Sequence, residues 1–336
     1  MMETVYFGTY TKKMSQGIYA ADFDSESGLL SNLRLVAKET NPTYLAFSNT
    51  GNLYSVASQD GKGGIASFNS NFELLNHVVE EGAPHCFISV DDERHLVYGA
   101  NYHKGEALIY QQNEDGSLAL LNKEVYSGSG PHPNQLSSHV HFVGLTPDKY
   151  LVVCDLGTDL VTTYDILENY QLEKIGQYHS TPGAGSRHIV FHPDLKVAYL
   201  ICELNATVEV LIYDGCGQFE RFDTISTLPE AYNGFNACAA IRISQDGKFV
   251  YASNRGDDSL AVFSVATDGS LKRIQIISTS GKNPRDFNIT PDGAYIITVH
   301  QDSDNATVFK RDQETGLLNT LSNDFFVPES VCVTFK

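Results

Sequence analysis

The chain has 336 residues, of which 42% are hydrophobic, and it carries a formal net charge of −18. A charge of this sign and size disfavours binding to nucleic acid and to anionic lipid surfaces. The chain contains no apolar run of about 18 residues, and its first residues, MMETVYFGTY, lack the charged and apolar regions of a signal peptide. We therefore expect a soluble cytoplasmic protein. Its six cysteines form no C-x-x-C pair, which indicates reduced, packed thiols.

Pairs of apolar strands joined by turns of Pro, Asp or Gly recur along the chain. Six pairs are complete: PTYLAFSNTGNLYSVASQ, PHCFISVDDERHLVYGAN, VHFVGLTPDKYLVVCDLG, SRHIVFHPDLKVAYLICE, AAIRISQDGKFVYASNR and PRDFNITPDGAYIITVHQ. The last turn residues are Gly51, Glu93, Lys149, Leu195, Gly247 and Gly293, with spacings of 42, 56, 46, 52 and 46. Each unit continues into a third strand, such as ALIYQQ or LAVFSV, and several reach a second turn, such as NEDGSL or ATDGSL. Units of four short strands at this period are typical of β-propeller blades.

The two ends of the chain complement each other. The first segment, VYFGTYTKKMSQGIYAADF, contains a second and a third strand, and the last segment, PESVCVTF, is a first strand with nothing after it. Together they complete a seventh unit, which closes the ring and removes long exposed strand edges. The sequence therefore predicts an all-β, seven-bladed propeller in a single domain, residues 1–336. A β-solenoid or a two-domain β-sandwich would not account for the complementary ends. The irregular loop at 127–139 is expected to overhang one face.

The repeat also makes positions in different blades comparable. Eight residues before each turn marker lie Thr43, His85, His141, Arg187, Ala239 and Arg285, and eight residues after it lie Gln59, Asn101, Gly157, Glu203, Arg255 and Gln301. The start of one strand lies beside the end of the next in an antiparallel hairpin. We therefore expect both sets of residues on the propeller face where ligands bind, at the mouth of the central channel.

Cations are concentrated at these positions although the chain is acidic. Arg187, Arg255 and Arg285 occupy equivalent places, together with His141, His85 and the neighbouring His188. A guanidinium group offers paired donors to phosphate or carboxylate, so we predict an anionic small molecule as ligand. The alternative is that these arginines pair with acidic neighbours such as Asp286 and Glu203 and hold the blades together.

No cofactor or metal is expected. The sequence His139-Val140-His141 would place two imidazoles on one side of a strand, which can be half of a metal site, but no partner of recognisable spacing accompanies it. The chain contains no G-x-S-x-G elbow, Walker loop or Rossmann fingerprint.

The segments SRHIVFHPDLKVAYLICE, DGKFVYASNR and NPRDFNITPDGAYIITVHQDSDNATVFKRDQETG resemble the seven-bladed lactonase family. This family includes bacterial propeller-type 6-phosphogluconolactonase and the fungal carboxymuconate-lactonising enzyme. The resemblance covers essentially the whole chain, including the opening FGTYT. It implies a catalytic group of one histidine, two arginines and one glutamate, which by motif are His141, Arg187, Glu203 and Arg255.

The expected function is hydrolysis of a phosphorylated sugar lactone, 6-phosphogluconolactone to 6-phosphogluconate in the pentose phosphate pathway, by a monomer. His141, with an intrinsic pKa of about 6.5, is the candidate base, and Glu203 would orient Arg187 or act as the base instead. Arg187 and Arg255 would stabilise the oxyanion, and Arg285 and His188 would bind phosphate. Further candidate binding residues are His85, His139, Asn254 and Gln301.

Two other functions remain open: a non-catalytic propeller that binds an anionic metabolite or a protein, and an enzyme for another anionic lactone. A calcium-dependent lactonase of the six-bladed type does not fit a count of seven.

Overall fold

The computed structural model describes residues 2–336 and contains 28 strands, which form seven four-stranded sheets. None of these residues belongs to a helix that is long and apolar enough to span a bilayer.

Most strands are joined by short turns, and the longest connection, residues 126–139, lies between β11 and β12. The first fourteen are β1 Met2–Thr9, β2 Gly17–Asp24, β3 Leu29–Lys38, β4 Leu45–Phe47, β5 Leu53–Gln59, β6 Lys62–Phe68, β7 Leu74–Glu81, β8 Phe87–Asp91, β9 Leu96–Asn101, β10 Glu106–Gln112, β11 Leu118–Val125, β12 Val140–Leu145, β13 Leu151–Asp155 and β14 Leu160–Ile166. The second fourteen are β15 Leu172–His179, β16 Ser186–Phe191, β17 Val197–Cys202, β18 Thr207–Tyr213, β19 Phe219–Ser226, β20 Ala237–Ile243, β21 Phe249–Arg255, β22 Ser259–Val265, β23 Leu271–Ser278, β24 Pro284–Ile289, β25 Tyr295–His300, β26 Asn305–Arg311, β27 Leu318–Phe326 and β28 Ser330–Phe335.

Six sheets consist of four consecutive strands, and the seventh joins the two ends of the chain. Its order is β28-β1-β2-β3, and β28 pairs antiparallel with β1 so that Val5 lies opposite Phe335 and Phe7 opposite Val333. The six other sheets are β4–β7, β8–β11, β12–β15, β16–β19, β20–β23 and β24–β27. The predicted seven units, one of them split between the termini, are confirmed.

Burial differs between the strands of one sheet. β17, with the sequence VAYLIC, is buried at every position, whereas β19, with FERFDTIS, is exposed at most positions. A strand covered on both faces reads as a continuous apolar run, and an outer strand does not need one. In this sheet the outermost strand, β19, is therefore the one whose charged and polar side chains face solvent.

The chain forms two compact units by its internal contacts. Unit 1 comprises Met1–Val36, His188–Ile212 and Arg221–Lys336, and unit 2 comprises Ala37–Arg187 and Tyr213–Glu220. Within each unit, the core lies between consecutive sheets. In unit 2, Tyr98 of β9 and Val153 of β13 share one buried cluster, and in unit 1 Val299 of β25 and Val5 of β1 share another. Within a unit, neighbouring sheets cover each other's apolar faces.

A buried tyrosine in the second strand of several sheets reaches the outer turn of the following sheet. The hydroxyl of Tyr199 donates to the carbonyl of Gly269, that of Tyr251 to Gly316, and that of Tyr295 to Ser25 in unit 1. In unit 2, the hydroxyl of Tyr54 donates to the carbonyl of Gly116. We call these four bonds the tyrosine clamps; each one ties two consecutive sheets together.

Candidate active site

Two of the predicted site residues lie at β-bulges in the first strand of their sheets. In β12, Val140 pairs with Asp155 and Phe142 with Cys154, so that His141 is the extra residue. In β24, Pro284 pairs with His300 and Asp286 with Val299, so that Arg285 is the extra residue. A bulge interrupts the alternation of the strand and re-aims a side chain. His141 and Arg285 thus have equivalent backbone settings, as the repeat predicts.

The two histidines of the H-x-H sequence both contact Tyr102 in unit 2. The ring of His139 stacks on that of Tyr102, with centroids 4.2 Å apart and planes 6° apart, and the ring of His141 meets it edge-on at 5.8 Å. His139 Nδ1 donates to the main-chain carbonyl of Tyr102 at 3.0 Å. This bond fixes the tautomer, and it leaves Nε2 of the neutral ring with its lone pair.

His85, predicted to bind substrate, is a packed side chain in unit 2. It is 4% exposed, its Nε2 lies 2.6 Å from the hydroxyl of Tyr110, and a Cβ added to Gly99 would lie 2.4 Å from the ring. Burial, together with the charge of Lys104, lowers the pKa of His85 to about 3. This geometry favours a packing role over ligand binding, because the His85 ring fills the space beside Gly99 that a side chain at position 99 would otherwise occupy.

Arg187 and His188 follow each other near the start of β16, and both are buried, at 2% and 5% exposure. Arg187 is the second residue of β16, as His141 is of β12 and Arg285 of β24. The equivalence predicted for these three positions therefore holds at the level of the strands.

Arg255 and Glu203 form an ion pair in unit 1. Arg255 Nη2 lies 2.8 Å from Glu203 Oε2 and also donates to the carbonyl of Cys238 at 3.0 Å, while Nε donates to the carbonyl of Ala237 at 3.1 Å. The two side chains are 13% and 18% exposed. The sequence predicts that Glu203 orients Arg187 or acts as the base, and the ion pair described here joins Glu203 to Arg255, the second arginine of the predicted group.

These contacts hold the guanidinium of Arg255 in one orientation. Its Nε and Nη2 are engaged, and Nη1 has no hydrogen-bond partner among residues 2–336. A preorganised donor of this kind is suited to an oxygen that gains negative charge during a reaction.

Asn254 and Gln301, the other predicted binding residues of unit 1, differ in their availability. Asn254 is fully buried, and its amide donates to the Thr227 carbonyl and the Ser259 hydroxyl while accepting from Thr227 and Asn236. This network uses both donors and the acceptor of Asn254, which favours a structural role, and substrate binding by Asn254 stays a prediction. Gln301 Oε1 accepts from Arg285 Nη1 at 3.4 Å and so supports that arginine.

Sequence reasoning missed the aromatic residues that support the site. Tyr102 follows the predicted position Asn101, and Tyr10 lies in the opening segment FGTYT. The Cζ atom of Arg285 lies 5.9 Å from the centre of the Tyr10 ring. Neither tyrosine is charged or part of a catalytic motif. Tyr102 could have been indicated by its position next to Asn101, whereas the repeat holds no such signal for Tyr10.

Comparison with known proteins places this geometry in a family. The family model described as "Lactonase, 7-bladed beta-propeller" matches residues 4–335. A 6-phosphogluconolactonase of Bacillus subtilis (strain 168) is 40% identical over 340 residues, which cover 98% of this chain and 97% of that protein. A crystal structure of a protein from Lactobacillus plantarum has a TM-score of 0.98 at 45% identity, with 100% of both chains covered. The structure of a periplasmic gluconolactonase from Pseudomonas aeruginosa has a TM-score of 0.90 at 29% identity, covering 100% of this chain and 99% of that one. The seven sheets are therefore the blades of a propeller, and the chain belongs to the seven-bladed β-propeller lactonase family.

Proposed function

We propose that this protein hydrolyses a sugar lactone, with 6-phosphogluconolactone as substrate and 6-phosphogluconate as product. The observation that carries the proposal is the fixed guanidinium of Arg255, which keeps Nη1 available for a substrate oxygen. Two similar proteins support the reaction class, since one is a 6-phosphogluconolactonase and the other a gluconolactonase. A cytoplasmic location, a monomeric state and a place in the pentose phosphate pathway stay predictions.

The reaction is addition of water followed by ring opening. A base takes a proton from water as its oxygen forms a bond to the lactone carbonyl carbon, and the carbonyl oxygen gains the negative charge. The bond from this carbon to the ring oxygen then breaks, and the ring oxygen receives the proton to become a hydroxyl. The product is the open-chain acid, which ionises at neutral pH.

The proposed roles follow from the residue types and their surroundings. Arg255 donates from Nη1 to the developing oxyanion, and Glu203 holds this arginine in place. His141 is the proposed base and Arg187 the second cation of the group, as family resemblance implies. Arg285, with Gln301 against it, and His188 are proposed to bind the phosphate.

The first test measures the initial rate of 6-phosphogluconolactone consumption through 6-phosphogluconate dehydrogenase, after subtraction of spontaneous hydrolysis. We expect a rate clearly above background for the unmodified protein. Arg255→Lys should lower kcat by about 100-fold, because an ammonium cannot keep the three engaged contacts and also donate to the oxyanion. Glu203→Gln and Arg187→Ala should lower kcat as well.

Arg34→Met is the matched control, since Arg34 is an arginine paired with an aspartate, Asp22, at an exposed position. It should leave the rate unchanged. No excess rate in the unmodified protein would reject this substrate. Saturable binding of 6-phosphogluconate without turnover would instead favour a non-catalytic binding protein.

A further inference from the structure

Two cations lie against a single aromatic ring in unit 1. Lys12 Nζ is 4.1 Å from the centre of the Tyr10 ring, and Arg285 Cζ is 5.9 Å from it. Both distances are within the range of a cation–π interaction. Tyr10 therefore brings together a lysine that follows β1 and an arginine at the bulge of β24.

Neither cation is neutralised by the protein. Among residues 2–336, neither Lys12 nor Arg285 has a carboxylate within ion-pair distance, and the hydrogen-bonded side chain beside Arg285 is the amide of Gln301. The chain contains 41 acidic residues against 23 lysines and arginines, so acidic partners are plentiful elsewhere. Two positive charges at one ring repel each other, and an anion bound beside them would offset this repulsion.

The backbone around Lys12 is held in place by Glu329. The carboxylate of Glu329 accepts the backbone N–H groups of Lys12, Lys13, Met14 and Ser15 at 2.9 to 3.0 Å, and its carbonyl accepts that of Tyr10. This nearby carboxylate is thus occupied by backbone donors and not by the ammonium of Lys12. The result is a fixed loop that presents Lys12 at its surface, which reduces the entropy lost when a ligand binds.

We propose that Lys12, Arg285 and Tyr10 form the subsite for the phosphate group of the substrate. Arg285 supplies paired donors, Lys12 supplies a compact charge, and the Tyr10 ring holds both in position. The proposal rests on the proposed function and deepens it. It explains by these three residues why the enzyme would prefer a phosphorylated sugar lactone to an unphosphorylated one. Lys12 and Tyr10 are thereby binding residues that the repeat does not reveal.

The test compares kcat/KM for 6-phosphogluconolactone and for unphosphorylated gluconolactone in the full chain. Lys12→Met and Arg285→Met keep the aliphatic parts of the side chains and remove the charge. We expect each to lower kcat/KM for the phosphorylated lactone by about 10- to 100-fold, mainly through KM, and to leave the unphosphorylated lactone within about 3-fold of the unmodified protein.

Lys13→Met is the matched control, because Lys13 is exposed in the same loop and bound to Glu329 through its backbone, yet does not contact the ring. It should leave both substrates unaffected. An equal loss on both substrates, or no loss on either, in the Lys12 and Arg285 variants would overturn the proposal.

Calorimetric binding of 6-phosphogluconate and of gluconate separates this proposal from the proposed reaction. Binding of 6-phosphogluconate that is lost in Lys12→Met and Arg285→Met supports the subsite even if the protein does not hydrolyse the lactone. Hydrolysis of 6-phosphogluconolactone that is equally efficient in both variants overturns the subsite and leaves the reaction standing. Equal affinity for 6-phosphogluconate and gluconate would also overturn it.

Discussion

The candidate residues differ in how much of their hydrogen-bonding capacity is left for a ligand. Arg255 keeps one nitrogen available, whereas Asn254, its neighbour in β21, uses both donors and its acceptor inside the protein. His85 is packed against Gly99 and Tyr110. Adjacent or equivalent positions in the repeat therefore serve different purposes, depending on whether the strand turns them towards the core or away from it.

Burial of His85 makes the stability of the protein pH-dependent. Its pKa is about 3 in the folded chain, against an ordinary value of about 6.5 for histidine, so the unfolded chain binds the proton more readily and stability falls as pH drops through 6.5 towards 3. Between pH 7 and pH 5 the unmodified protein should lose on the order of 2 kcal/mol more stability than His85→Gln. Urea unfolding at the two pH values measures this difference.

His179→Gln, which changes an exposed histidine at the end of β15, is the control and should behave as the unmodified protein. An identical pH dependence in His85→Gln would show that His85 is not buried in its neutral form.

At the scale of elements, one carboxylate organises the loop between β1 and β2. Burial raises the pKa of the Glu329 carboxyl, but the hydrogen bonds it accepts from four backbone N–H groups lower the pKa below the ordinary value of 4.5. The backbone hydrogen bonds therefore stabilise the ionised form of the Glu329 carboxylate. Because β28 begins at the next residue, the same carboxylate connects the end of the chain to its beginning.

Glu329→Gln should destabilise the protein by about 1 to 3 kcal/mol at pH 7, since an amide accepts fewer of these bonds and turns its own N–H groups towards them. A lowered folded pKa means that the stabilisation is present above pH 4.5 and is lost as pH falls below this value. Urea unfolding should therefore show a large difference in the free energy of unfolding between the unmodified protein and Glu329→Gln at pH 7. The difference should be smaller at about pH 3.5.

Glu314→Gln, at an exposed turn position, is expected to have no effect at either pH. A difference between Glu329→Gln and the unmodified protein that is the same at both pH values would contradict this account.

At the scale of the whole molecule, consecutive blades within each compact unit are joined by buried apolar clusters and by the tyrosine clamps. Each clamp gives a buried tyrosine hydroxyl a hydrogen-bond partner, namely a carbonyl in the outer turn of the next blade. The clamp of Tyr295 ties the blade β24–β27 to the blade that contains both ends of the chain, because its partner, Ser25, belongs to that blade.

Replacing clamp tyrosines by phenylalanine should cost about 1 kcal/mol each, and the effects should add because the clamps lie in different blades. We expect Tyr199→Phe and Tyr295→Phe to lower the free energy of unfolding singly, and the double variant to lower it by about 2 kcal/mol, measured in urea. Tyr232→Phe, which removes an exposed bond within one loop, is the control and should change stability by less than about 0.5 kcal/mol. A double variant as stable as either single one would contradict independent clamps.

The sequence by itself determined the number of blades, their strands, the split blade and the equivalent positions of His141, Arg187 and Arg285. These features depend on local alternation of apolar residues, on turn residues and on a period, all of which can be counted along the chain. The residues of the split blade could be matched because one end lacks what the other supplies.

Only the tertiary structure decided which of these residues have atoms left for a ligand. The bulges at His141 and Arg285 depend on strand register. The pairing of Glu203 with Arg255, the bond of Asn254 to Thr227 and the contact of Arg285 with Tyr10 involve partners distant in sequence. A bulge changes the direction of a side chain without changing the strand pattern, and an ion pair depends on distances of a few ångströms between chain segments. The repeat therefore determines where the candidate positions lie, and the packing between segments determines what each of them can do.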